Sequence, residues 1–289
     1  MPPSIPNILT TMMNIADFRS NDLENYATTY LNRINVAGQK LEFYVMDAVC
    51  GSFRCKKEEK EERYTSGFFS LRGNQNNPPD FIIGDGDAYE IKKIESLKAS
   101  LALNNSPPKD KLHRDDPRIT QECRNIEGGN WTSKDIFYVI GCVQSGKIKY
   151  LFFVHGLCYA AEREFYSGKA SALKKSIEGC IKTGGWEASN KTVELGRINR
   201  MDPLGITNFR IRGMWEIENP IKVFSYVYTL DIRKEFSLVS LMTKAKYDSF
   251  LADRSVTERD SRFNVKDFKI KNPNNPANLL EAKLITSGW

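Results

Sequence analysis

The chain has 289 residues, 40% of them apolar, with 42 basic and 36 acidic side chains and a formal net charge of +6. That is ample for one sizeable core, and it excludes a disordered or low-complexity chain; the modest basic excess permits a nucleic-acid partner without requiring one. The cysteines, Cys50, Cys55, Cys123, Cys142, Cys158 and Cys180, form no C-x-x-C pair and no Cys/His spacing, which argues against a zinc site or a disulfide framework and leaves reduced thiols in a cytoplasm as the expectation. No charged segment followed by a long apolar one opens the chain, and no apolar run is long enough to span a bilayer. One domain over residues 1–289 is expected, with residues 1–30 as an N-terminal arm and 270–289 as a C-terminal tail.

Residues 1–20 are rich in Pro and Thr and then mildly amphipathic, as in an arm or a short helix. Ile34, Ala37, Leu41, Tyr44, Val45, Ala48 and Val49 recur at helical spacing, which predicts an amphipathic helix over about 35–50 ending at Gly51. From Lys56 to Arg63, Lys and Glu alternate three and four apart, the pattern of a solvated helix face. Phe68 to Leu71 is a candidate strand leading into Gly73-Asn74-Gln75-Asn76-Asn77, a cluster of amide side chains.

The chemistry begins at Pro78-Pro79-Asp80-Phe81-Ile82-Ile83-Gly84-Asp85-Gly86-Asp87-Ala88-Tyr89-Glu90-Ile91-Lys92. Two β-prone runs flank a Gly-Asp-Gly turn signal. With a three-residue loop, Phe81 faces Tyr89 and Asp80 faces Glu90 on one sheet face, and Lys92 joins them two residues on. A four-residue loop would send the two carboxylates to opposite faces. The odd loop is the chemically useful one, and Gly86 in the left-handed region is the expected device. Opposed carboxylates repel unless a cation lies between them. Asp80, Glu90, the carbonyl of Ile91, waters and a phosphate oxygen compose the oxygen-rich shell that suits Mg²⁺, an ion that polarises a phosphodiester and activates water. Lys92 would then orient that water and counter charge on phosphorus.

Beyond the hairpin, residues 97–103 continue as helix or strand end, and Asn104-Asn105-Ser106-Pro107-Pro108-Lys109-Asp110-Lys111-Leu112 breaks into a loop. His113 and His155 have no metal-like spacing. Residues 135–143 and 147–154 flank Gln144-Ser145-Gly146 as a second hairpin whose near-continuous apolar runs predict buried strands. Residues 158–181 form one long helix or two joined near Gly168. Arg197, Arg200, Arg210 and Arg212 cluster about the Asp202-Pro203-Leu204-Gly205 turn, with Arg210 and Arg212 on one strand face. Their planar forks fit guanine O6 and N7; the competing reading pairs them with Glu216, Glu218 or Asp202. A core element follows near residues 223–228, a helix is predicted over 238–251, and a loop over 272–276.

Pro79-Asp80 followed by Glu90-Ile91-Lys92 across a hairpin resembles the PD-(D/E)xK signature of a large nuclease superfamily. The longer wording, residues 73–80, Gly86-Asp87-Ala88-Tyr89-Glu90-Ile91-Lys92-Lys93-Ile94-Glu95-Ser96, Asp202-Pro203-Leu204-Gly205-Ile206-Thr207 and Arg210-Ile211-Arg212-Gly213-Met214-Trp215, resembles the NgoPII-type type II restriction endonucleases from about residue 32 to about 228. The resemblance implies an α/β fold with a mixed central sheet flanked by helices and a PD-(D/E)xK core, and Mg²⁺-dependent cleavage of double-stranded DNA at a short GC-rich palindrome, GGCC. Asp80, Glu90 and Lys92 would be catalytic. Glu42, on the first helix in the wording Gly38-x-x-Leu41-Glu42, would be an accessory metal ligand or a support for one. Asn74, Gln75, Asn76, Asn77, Asn104, Asn105, Ser106 and Lys109 become candidate groove or phosphate contacts, and Arg197, Arg200, Arg210 and Arg212 candidate DNA contacts. A palindromic target suits a homodimer. The family also implies a prokaryotic cytoplasm and a cognate DNA methyltransferase as a genetic companion, not a bound partner. The alternatives are a repair or structure-specific nuclease of the same superfamily, or a DNA-binding protein with an inactive site.

Overall fold

The most apolar runs of the sequence become the middle of a sheet. The computed structural model describes residues 5–24, 36–74, 77–187 and 194–289. In chain order its strands are Phe69–Asn74 (β1), Asn77–Ile83 (β2), Ala88–Ile94 (β3), Leu101–Asn104 (β4), Lys111–His113 (β5), Ser133–Gln144 (β6), Lys147–His155 (β7), Gly196–Ile198 (β8), Phe209–Ile211 (β9), Trp215–Ile217 (β10), Ser237–Thr243 (β11), Asn264–Lys271 (β12) and Leu279–Gly288 (β13). The main sheet runs β1-β2-β3-β6-β7-β11-β13-β12, with β5 paired to β6. β3 lies parallel to β6, and β11 parallel to β7; the other pairs are antiparallel. The fold is therefore α/β with a mixed central sheet, as expected.

The chain groups into two compact units, one comprising Met1–Ala99, Asp110–Ala160 and Glu218–Trp289, the other Ser100–Lys109 and Ala161–Ile217. The first unit holds the main sheet. Its helix α1 (Ile8–Phe18) starts at a capping box: Asn7 Oδ1 accepts from the N–H groups of Leu9 and Thr10, and Thr10 Oγ1 accepts from the Asn7 N–H. Such a cap is worth about 1 kcal/mol. Ile8, Leu9, Met12 and Ile15 are fully buried, so of the two readings, an arm or a short helix, the segment takes the second and packs into the core. Helix α2 (Val36–Cys50) joins it there through Leu41, Tyr44, Val45 and Ala48. Leu41 presses on β6 so closely that a Cβ at Gly141 would lie 2.5 Å from its Cδ2. Helix α3 (Lys57–Arg63) is not solvated throughout, because Lys60 is buried 2.5 Å from the fully buried Asp47 of α2, which also accepts from the Tyr64 hydroxyl at 2.6 Å.

In the second unit β4 pairs with β10 and β8 with β9, and helix α4 (Arg163–Thr183) packs on β8. α4 runs unbroken through Gly168, where a side chain would meet open space; the chain breaks earlier, after the short turn Gly156–Tyr159.

Two further expectations need correction. The helix predicted over 238–251 is strand β11, followed by helices α5 (Lys244–Ser249) and α6 (Leu251–Arg259). A short apolar run buried on both faces has the same sequence pattern in either form, and here it is paired on both edges, with β7 and β13. The expected C-terminal tail supplies β13, an inner strand with Ala282, Leu284 and Ile285 buried. Among the described residues no helix is long and apolar enough to cross a membrane.

Candidate active site

Asp80 is placed by the backbone on either side of it. β1 bulges at Gly73, and a Cβ there would sit 2.1 Å from the Pro79 carbonyl oxygen and 2.9 Å from that of Asp80. Only a residue without a side chain lets β2 come this close. Across the hairpin Phe81 pairs with Tyr89 and Ile82 with Ala88, the Ile83 N–H donates to Asp87 O at 3.0 Å, and the Gly86 N–H donates to Ile83 O at 2.9 Å. The loop is thus the three residues 84–86, and continuing the register sets Asp80 opposite Glu90. The left-handed residue is Asp85, with φ 53°, rather than Gly86; Asp tolerates that region, and its N–H is held by Glu127 Oε1 at 2.9 Å.

Past Phe81 the ladder gives way to side chains. Asp80 Oδ2 accepts from the Ile91 N–H at 2.5 Å, and Lys92 Nζ lies 2.7 Å from Glu90 Oε1. Glu90 is 9% exposed, and its second oxygen, Oε2, is buried without a hydrogen-bond partner. Burial, and then the charge of Glu90, push the Asp80 carboxyl well above its ordinary value, with Lys92 opposing and Glu42 adding to the rise. Glu42, on α2, is raised by burial, with Lys92 opposing and Glu90 adding. Burial alone would lower Lys92, but Glu90, Asp80 and Glu42 outweigh it and hold its ammonium above the usual value. Three acids therefore share the field of one lysine.

These groups fit a hard divalent cation. Carboxylate oxygens are the right donors, and a buried, partnerless Glu90 Oε2 is a polar atom lacking what its burial demands. Among the described residues no three acidic, histidine or cysteine side chains are already closed into a metal-binding group. Asp80 and Glu90 would supply two ligands, leaving the remaining positions to water, backbone or substrate oxygen. Of Ile91, the N–H is engaged by Asp80.

The candidate DNA contacts fall into different surroundings. Asn74 is exposed and accepts from the Asn77 N–H at 3.1 Å, while the Asn77 amide donates to Arg118 O at 2.8 Å; Gln75 and Asn76 lie outside the described residues. Asn104, with φ 53°, and Asn105 are exposed, Ser106 Oγ is buried without a partner, and Lys109 is buried. Arg197 sits opposite Arg210 on the β8–β9 ribbon, its Nε buried without a partner. Arg200 Nε is 3.4 Å from Glu187. Arg210 and Arg212 converge on Glu194, each with a nitrogen 2.6 Å from its Oε1. Among the described residues Glu194, rather than Glu216 or Asp202, is their ion-pair partner, and Asp202 Oδ1 accepts from the N–H groups of Ile206 and Thr207, shaping the turn.

The model of the NgoPII restriction endonuclease family matches residues 6–271. A type II restriction enzyme, NgoPII of Neisseria gonorrhoeae, is 43% identical over 282 residues, covering 97% of this chain and 99% of that protein. The chain belongs to the NgoPII restriction endonuclease family. It is a type II restriction endonuclease with DNA as its substrate, and enzymes of that type generally use divalent metal ions. No solved structure matches it.

Within this family member, several residues that a linear reading passes over hold the hairpin in place. Lys134 Nζ donates to Gly86 O at 3.1 Å and pairs with Glu127 at 2.8 Å, so the turn is clamped from outside. Lys246, from α5, lies 2.5 Å from Asp87 and 2.9 Å from Asp135, tying the starts of β3 and β6 together. Their sequence signals are weak, because each is an ordinary charge near a strand end; it is β3 lying parallel to β6 that brings Asp87 beside Asp135. Glu194 was likewise missed, and strand pairing is again the reason: the β8–β9 register carries it back beside residues 210–212.

Proposed function

We propose that this chain is a Mg²⁺-dependent enzyme that cuts both strands of duplex DNA at GGCC, acting as a homodimer. The observation that carries the metal reading is the buried, partnerless Glu90 Oε2 on a residue whose charge, with burial, opposes ionisation of Asp80. Asp80 and Glu90 hold the metal, with the Ile91 carbonyl as a further ligand and Glu42 as an accessory carboxylate on α2. When bound, the ion polarises the scissile phosphate and lowers the pKa of a water. Lys92 stays protonated, orients the attacking water and offsets charge at phosphorus. Its 2.7 Å contact with Glu90 supports that role. Arg210 and Arg212 read guanine, with Arg197 and Arg200 nearby as further DNA contacts; the exposed amides of Asn74, Asn104 and Asn105, with Gln75, Asn76, Asn77, Ser106 and Lys109 from the same segments, brace the duplex. The palindromic target supplies the case for two-fold symmetry.

The test is plasmid digestion with Mg²⁺ against EDTA, followed by sequencing of the fragment ends and sedimentation of the protein with and without DNA. Discrete fragments whose junctions read GGCC, and a sedimenting dimer, are expected. A smear, or cutting undiminished in EDTA, would overturn the proposal.

A further inference from the structure

The two arginines that the proposed function assigns to guanine are already occupied. Glu194 Oε1 accepts from Arg212 Nε at 2.6 Å, and Glu194 also accepts from Arg210 Nε, at 2.9 Å to Oε1 and 3.0 Å to Oε2. Arg210 Nη2 reaches Oε1 at 2.6 Å as well. The two guanidinium groups remain about half exposed, whereas the Glu194 side chain is only 10% exposed. Arg197 stands directly across the ribbon from Arg210. Two arginines thus share one carboxylate, and the cluster keeps a net positive charge while both forks are held in place.

A planar acceptor pair facing a guanidinium fork is what a phosphate or the O6/N7 edge of guanine also presents. We infer that Glu194 is an internal stand-in for DNA, holding Arg210 and Arg212 in the free protein and giving them up to a nucleic-acid acceptor on binding, so that it lowers affinity for DNA in general and leaves the cognate sequence best able to displace it. This rests on the reading of Arg210 and Arg212 as DNA contacts. Specificity is a difference of affinities, and a competing internal acceptor weakens every complex that cannot repay its displacement. The exchange is not a pH switch. Hydrogen bonding from Arg210, set against burial and joined by Arg212, holds the Glu194 carboxyl down to about 2, so the carboxylate stays charged at any working pH and must be displaced by another acceptor.

The experiment measures binding of the full-length wild type, Glu194→Gln and Glu194→Asp to a GGCC duplex and to a scrambled duplex, in Ca²⁺ across a salt series, with melting curves for each protein. Glu194→Gln is expected to bind the scrambled duplex about tenfold more tightly, with a salt slope steeper by about 0.9 for each phosphate gained, and to lose discrimination. Glu194→Asp, which keeps the charge but shortens the reach to the two forks, is expected to gain a few-fold and carries the test if the Gln variant does not fold. Unchanged or weaker binding to the scrambled duplex by the folded variants, with the wild-type salt slope, would overturn the inference. A wild type that cuts at discrete sites while its Glu194 variants bind like it removes this inference alone; a wild type that neither binds nor cuts duplex DNA removes the functional reading beneath it.

Discussion

The β2–β3 hairpin and the β8–β9 ribbon handle charge in opposite ways. In the hairpin Asp80, Glu90 and Glu42 are partly or fully buried around a single lysine, and one carboxylate oxygen has no partner. On the ribbon Arg210 and Arg212 are half exposed and already paired with Glu194. Burying three acids around one lysine is costly, a cost that the proposed binding of a cation would offset. On the ribbon Arg210 and Arg212 are already paired, and the proposed contact of their forks with DNA would exchange one anion for another. On these proposals one region would be completed by its ligand and the other opened by it.

The sharpest way to break this comparison is to neutralise the hairpin. Asp80→Asn, Glu90→Gln and Lys92→Ala are each expected to lower plasmid cleavage by about a thousandfold or more, since charge stabilisation at a reacting centre is commonly worth ~10²–10³ per group and metal loss adds to it. Asp80→Asn should do so with an unchanged or higher melting temperature in EDTA, because it removes repulsion. A parallel fall of stability and activity in all three variants would make these residues structural. Next comes Gly73→Ala. Its Cβ would meet the Pro79 carbonyl at 2.1 Å, a backbone atom that cannot rotate away, so β2 must move and Asp80 with it. Loss of ~1–3 kcal/mol of stability and of about a hundredfold in cleavage is expected, whereas near wild-type activity would show that Asp80 tolerates displacement.

Substitution on the ribbon should be milder. Arg210→Lys and Arg212→Lys keep charge but lose the planar fork, so cognate affinity should fall by ~1–3 kcal/mol per lost guanine contact while scrambled DNA binds nearly as before. Equal weakening on both duplexes across a salt series would assign these arginines to phosphates instead.

How much of this was legible in the sequence follows from the range of the interactions. The hairpin register could be read because a turn signal and two alternating runs are local, and the helix over about 35–50 because its apolar spacing is regular. The second hairpin was equally plain from Ser145-Gly146 between apolar runs. Strand β11 was not, since Leu238-Val239-Ser240-Leu241-Met242 has no period of its own and becomes a strand through β7 and β13, which lie far away in the chain. The N-terminal segment reads as an arm or a short helix, and its local signal, Asn7 followed by Thr10, belongs to the helix that forms. The motif residues of the candidate site are close together in sequence, while Glu194, Lys134 and Lys246 are placed by pairings between distant segments that no local pattern encodes.

The smallest expected effect is thermal, and it tests the hairpin without any DNA. Asp80 has its folded pKa raised above the ordinary 3.8, by burial first and by Glu90 next, so between 3.8 and that raised value the native state binds more protons than the unfolded one. Stability must then fall as pH rises through this window and level off above it. Lys92, whose folded pKa is raised above 10.5, contributes stability that is present below 10.5 and lost only at higher pH, outside that range. In EDTA the wild type should therefore lose melting temperature relative to Asp80→Asn as pH rises above the ordinary carboxylate range, because the variant lacks the raised Asp80 carboxyl. A divalent ion binds the deprotonated carboxylates and reverses the trend; at about a hundred times its Kd it should add ~2.7 kcal/mol, roughly 5–10 °C for a chain of this size. Mg²⁺ or Ca²⁺ that leaves both the melting temperature and its pH slope unchanged in the wild type, or that stabilises Asp80→Asn equally, would mean that the buried carboxylates of the hairpin do not meet at a metal.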